Sequence, residues 1–93
     1  MAHDFRYPAR VEPNGTGGWI ASFIDVPEAR TEAFNLGELK EYALDALVTA
    51  IDFYEGDGRA FPLPSTPVDG DLVVKLPAAD VSRGLRLHKS AGA

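Results

Sequence analysis

Apolar residues return every three or four positions between Asn35 and Glu55: Leu36, Leu39, Ala43, Ala46, Leu47, Ala50, Ile51 and Tyr54. That period stacks them on one face and predicts a single long helix over residues 35–55. Asn35 is placed to cap its start, and Glu38 sits three positions on, where a capping-box acid belongs. Gly37 weakens the first turn by about 1 kcal/mol relative to alanine, too little to displace the helix. Gly56 and Gly58 mark its end. A helix with one apolar face has to lie on another layer, and the residues before it alternate as strands do.

Residues 5–11 place Phe5, Tyr7, Ala9 and Val11 on one side and Arg6 and Arg10 on the other, the pattern of a half-buried strand. Pro8 lacks an N–H, which predicts an edge or bulged position. The turn-rich run from Glu12 to Gly18 leads into a second strand over residues 19–24, with Trp19 and Phe23 expected in the core beneath Leu39 and Leu47. A turn over Asp25–Glu28 precedes a short third strand, residues 29–34. Beyond the helix, Pro62, Pro64 and Pro67 lie in an extended loop, residues 72–76 form a fourth strand, and residues 78–91 form a short helix interrupted by Gly84. The expected architecture is α+β, ordered βββαβα: a three-stranded antiparallel sheet with one long helix on a face, a further C-terminal strand and a short terminal helix.

Ninety-three residues set the scale of one domain with a modest core, which oligomerisation would help. With no cysteine there is neither a disulfide framework nor a thiolate metal site. No apolar run is long enough for a membrane span, and none near the start reads as a signal peptide, so the expected location is the cytoplasm. The net charge of −5 is uneven: residues 1–75 carry thirteen acids and six bases, while residues 76–93 carry one acid and three bases. An acidic body of this kind repels nucleic acid and attracts a basic partner.

Three ordered motifs resemble the HicB-type antitoxins. Gly17-Gly18-Trp19-Ile20-Ala21-Ser22-Phe23-Ile24-Asp25-Val26-Pro27 resembles the family's Gly-Gly-Tyr-x-Val-x-Phe-Pro-Asp-Leu-Pro signature. An acidic, Ala- and Leu-rich helix follows at the family's distance. Arg59 to Ser65 then resembles Gly-x-x-Ile-Pro-x-Pro-Ser, and Leu72 to Pro77 resembles the family's next strand. The family's glycine and cysteine after the turn are replaced by Glu28 and Ala29, and Ile24 stands where a proline is usual. The resemblance implies a partial ribonuclease-H-like fold. It implies an antitoxin that neutralises a small basic ribonuclease toxin, HicA, and that represses its own operon when a DNA-binding module follows. Residues 1–70 would be the toxin-binding domain. Residues 71–93 would be the strand and helix that open a dimerisation or DNA-binding module, too short here for the second helix a DNA reader needs. DNA is a partner only where such a module is present.

The chemistry legible in the residues agrees with a binder. Ribonuclease H chemistry needs carboxylates converging on divalent ions, whereas Asp4, Glu12, Asp25 and Asp45 fall at an end, in turns and on an outer helix face. His3 and His88 lie at opposite ends of the chain, so no acid/base pair is expected, and no spacing marks a metal or cofactor site. The glycines at 15–18 join two strands and open no helix, which argues against a phosphate cradle. The informative feature is an acidic stripe of Glu38, Glu41, Asp45, Asp52 and Glu55 on the outer helix face, with Lys40 its only neighbouring base. It reads either as a solvated face or as a docking face, on which Asp25, Glu28, Glu38, Glu41 and Asp45 meet a basic toxin. Leu44, Val48 and Phe53 extend the apolar arc beyond one sheet face, and Leu72, Val73, Val74 and Leu76 are expected at a dimer or tetramer interface. The alternatives from other classes are a stand-alone ribonuclease-H-like nuclease and a non-catalytic structural or ligand-binding oligomer.

Overall fold

The computed structural model describes residues 5–91, with side chains described up to residue 87. The elements run β1 (Arg6–Pro13), β2 (Trp19–Phe23), β3 (Arg30–Ala33), α1 (Leu36–Asp57), β4 (Leu72–Lys75) and α2 (Ala78–Ala91). All four strands join one antiparallel sheet in the order β3-β2-β1-β4. Helix α1 covers one face. Its buried residues Leu39, Ala43, Leu47, Ala50, Ile51 and Tyr54 meet Tyr7, Ala9, Ala21, Phe23, Ala33 and Val74 from the sheet.

Pro8 overturns the edge expectation: β1 is a central strand, paired with β2 on one side and β4 on the other. The register explains how. Phe5 and Leu76 form a hydrogen-bonded pair, so hydrogen bonding to β4 falls at Phe5, Tyr7 and Ala9, and Pro8 turns its nitrogen toward β2 instead. There it faces Ile24, one residue past the end of β2, and only the Ile24 N–H to Pro8 carbonyl bond is made, at 3.2 Å. The missing donor costs one bond at a fraying strand end. Trp19 also departs from expectation. It is half-buried rather than in the core, because it starts β2 and sits beneath the first turn of α1, beside Val11, Leu36 and Leu72.

The turns are set by specific side chains. The Asn14 Oδ1 accepts from the N–H groups of Thr16 and Gly18, both at 2.9 Å, and closes the β1–β2 loop. A Cβ on Gly18 would stand 2.7 Å from the Ala33 carbonyl oxygen, so the loop can lie against the end of β3 only with glycine there. Asn35 caps α1 by accepting from the Glu38 N–H at 2.8 Å, and its amide donates back to the Glu38 carboxylate, also at 2.8 Å. The helix runs past Gly56 and stops at Gly58, whose φ of 67° is left-handed, while Arg59 N–H returns to the Tyr54 carbonyl at 2.9 Å. Gly84 does not interrupt α2. It is buried, and a Cβ there would come within 3.4 Å of the Phe61 ring, so it lets α2 lie close on Phe61 and Leu76.

Candidate partner-binding surface

The acidic residues of the helix stripe and of the β2–β3 turn divide into three groups once their neighbours are known. Asp25 and Glu28 belong to the first. Both are committed inside the chain, at the turn where β2 passes to β3. The Asp25 carboxylate accepts from the Ser65 N–H at 2.8 Å and from the Ser65 hydroxyl. Glu28 accepts from the Tyr54 hydroxyl and from Arg59, each at 2.7 Å. The Arg59 guanidinium also lies 4.1 Å from the centre of the Tyr54 ring, a cation–π contact. The hydrogen bonds from Arg59 and then Tyr54 hold the Glu28 carboxyl down at about 2. Burial, then the bond to Glu28, pushes the Tyr54 phenol up to about 12. Burial likewise raises Tyr7, whose hydroxyl donates to the Pro62 carbonyl at 2.7 Å. These contacts, with Phe61 packed edge-on to Tyr54 at 5.2 Å, fasten the proline-rich loop to the sheet end.

The second group is the far half of the stripe. Asp52 and Glu55 are paired with Arg83 of α2, which meets Glu55 at 3.0 Å, and Arg86 approaches Glu55 at 3.5 Å. The expectation that the stripe lacks internal partners therefore fails here: the basic tail helix folds back onto it. Opposite charge on α1 and α2 explains the pairing, and Val81, Leu85 and Leu87 pack against the core beneath it.

Glu38, Glu41 and Asp45 remain, on the first three turns of α1. Glu38 is half-buried in the helix cap. Glu41 and Asp45 are exposed and make no ion pair among the described residues. Beside them Phe34, Tyr42 and Phe53 are 79%, 45% and 62% exposed. Between β3 and α1 lies a cleft of about 310 Å³ lined by Asn14, Thr16, Glu32, Ala33, Phe34, Glu38 and Tyr42. Tyr42 and Phe34 were not singled out by sequence reasoning. The spacing of Tyr42 and Phe53, eleven residues or about three turns, is the signal that puts both on one flank.

On β4, Val74 and Leu76 are buried in the chain's own core, at 3% and 1% exposure. Their side chains are thus engaged within the subunit; Leu72 and Val73 are half-buried, and β4 is an outer strand of the sheet. Among the described residues no three His, Cys, Asp or Glu side chains converge as metal ligands, and no helix is long and apolar enough to cross a membrane. Asp4 and His3 lie outside the described residues, and so does the His88 side chain.

Comparison with known proteins places this arrangement. Residues 6–82 match the model of a family described as HicB_like antitoxin of bacterial toxin-antitoxin system. The chain is 41% identical over 83 residues to Antitoxin HicB of Escherichia coli K12, covering 89% of this chain and 60% of that protein. It is 44% identical over 85 residues to Antitoxin HicB 1 of Photorhabdus laumondii, covering 91% of this chain and 54% of the relative. Antitoxin HicB 2 of the same organism is 42% identical over 88 residues, 95% of this chain and 61% of its own length. The chain thus spans a little over half the length of these relatives.

Proposed function

This chain belongs to the HicB-like antitoxin family, and from that premise we propose that it binds and neutralises a small basic ribonuclease of the HicA type without catalysing a reaction itself. The observation that supports this most is the exposed pair Glu41 and Asp45, one turn apart on α1. Like charges at this spacing cost a few tenths of a kcal/mol in an isolated helix; Lys40 and Lys75 share a cleft with Glu41, but no ion pair among the described residues offsets that cost. A cationic partner would. Asp25 and Glu28, with both oxygens of each carboxylate engaged by Ser65 or by Tyr54 and Arg59, shape the surface on which the toxin would dock.

The toxin-binding surface lies within residues 1–70 in this reading, and residues 71–93 carry assembly. Dimers or tetramers form along the open edge of β4, with Leu72 and Val73 at the contact. Val74 and Leu76 hold that strand to the core from behind. Operon autorepression requires a DNA-reading helix beyond α2, and the place of action is the cytoplasm.

The experiment is co-expression with a HicA-type ribonuclease, followed by calorimetric titration of an inactivated form of that enzyme at low salt. The wild-type chain restores growth and binds. Glu41→Lys combined with Asp45→Lys weakens binding about tenfold, which is about 1.4 kcal/mol, chiefly through slower association. Unchanged binding by the double variant at low salt removes the stripe from the interface. RNA cleavage by the chain alone, above background with Mg²⁺, would overturn the non-catalytic reading.

A further inference from the structure

The free edge of β3 and the flank of α1 above it form one composite surface. Phe23 N–H bonds the Ala29 carbonyl at 3.1 Å, and the β2–β3 register continues through Ala21↔Thr31 and Trp19↔Ala33. In an antiparallel ladder these alternate residues take the inward hydrogen bonds. Arg30 and Glu32 therefore turn their N–H and C=O groups away from β2, toward the outer side of the sheet, where the strand order ends. An unpaired edge of this kind is a template for another strand.

The helix flank overhead is apolar where solvent would favour polar residues. Tyr42 and Phe53 share an azimuth on α1 to within about 20° and lie about 16 Å apart. Phe34, the most exposed of the three aromatics, stands at the junction of β3 and α1. About 16 Å is also the length of a strand of five residues. Glu38 lines the cleft and Asp45 stands on the next turn of the helix, two acids against the single base Arg30 on β3, while Glu32 accepts from the Asn14 amide at 2.9 Å. A second copy of the chain would bring the same acids against one another. The opposite edge of the sheet lacks this character: the cleft beside β4 is lined by Lys40 and Lys75 as well as Glu41.

We infer that a β-strand of the basic ribonuclease adds to the free edge of β3, with its apolar side under Phe34, Tyr42 and Phe53 and its flanking cations on Glu38 and Asp45. The inference rests on the antitoxin reading and gives it an address. Strand addition supplies affinity through main-chain hydrogen bonds, and the aromatic flank selects the side chains of the incoming strand.

Proline at position 32 deletes an outward N–H while sparing the β2–β3 ladder, and alanine at 32 removes the side chain but keeps that N–H. The probe is an inactivated HicA-type ribonuclease from the same genome, titrated against the chain with Glu32→Ala, Glu32→Pro, Phe53→Arg and, on the far loop, Leu63→Arg. Glu32→Ala and Leu63→Arg are expected to stay within about threefold of wild type, whereas Glu32→Pro and Phe53→Arg each weaken binding at least about tenfold. Thermal unfolding of each variant is followed in parallel, and Phe53→Arg, an exposed helix substitution, tests the flank even if Glu32→Pro unfolds. Wild-type binding with Phe53→Arg equally tight overturns the inference and leaves the antitoxin reading intact. Light scattering that shows Phe53→Arg converting an oligomer to a monomer would assign the flank to self-association and overturn it as well. Failure of the wild-type chain to bind the ribonuclease overturns both.

Discussion

Glu28 joins three elements through one carboxylate: it ends the β2–β3 turn, receives the Tyr54 hydroxyl from α1 and receives Arg59 from the loop beyond. Its folded value of about 2 lies below the ordinary 4.5, so its contribution to stability is full above pH 4.5 and is lost as pH falls through about 2. Glu28→Gln should therefore lower Tm near neutral pH, and its deficit should shrink progressively between pH 4.5 and 2 as the wild-type carboxylate protonates. Melting both proteins across that range checks the sign, and a constant deficit contradicts it. The pair is partly solvated, which keeps the effect small. Gly18→Ala tests a different constraint. The added Cβ meets the Ala33 carbonyl oxygen, a backbone atom that cannot swing aside, so a loss of about 1–3 kcal/mol is expected in denaturant unfolding. Neither constraint was legible in the sequence. Asp25 and Glu28 read there as surface acids, because a string of residues shows a charge but not a partner 40 or 31 positions away.

The elements themselves were largely legible, since each rests on local periodicity. The helix period, the Asn35 cap and the alternation in β1 and β2 reappear within two residues of where the pattern put them. What failed was position in the sheet. Pro8 argued for an edge, yet whether proline is tolerated depends on which neighbour its nitrogen faces, and that is decided by the length of β2 and by where β4 docks. At the other end of α1, Gly58→Ala forces a left-handed φ of 67° on a residue with a Cβ. About 1 kcal/mol should be lost, or about 5 °C in Tm for a domain of this size. Gly56→Ala, inside the helix, should instead stabilise slightly. If both variants melted at the same temperature, Gly58 would not be the residue that stops the helix.

At the scale of the whole molecule, the charge pattern is partly neutralised from within. The basic α2 answers Asp52 and Glu55, so the acidic face narrows to Glu38, Glu41 and Asp45 beside an aromatic flank. Sequence reasoning saw the stripe but extended it too far, because the return of α2 onto α1 is a tertiary contact between residues about thirty positions apart. Arg83→Ala combined with Arg86→Ala should speed hydrogen exchange in α2 while leaving Tm within a few degrees, since exposed pairs are worth about 0–1 kcal/mol each. The molecule as a whole is then a two-layer sheet and helix whose β3 edge is the place where we propose that a strand of a basic partner adds. Amide hydrogen exchange by NMR, with and without an inactivated HicA-type ribonuclease, reports on that side residue by residue. Strong new protection of the Arg30 and Glu32 amides in the complex is the expected result. A complex that forms while those two amides exchange as fast as in the free chain would contradict it.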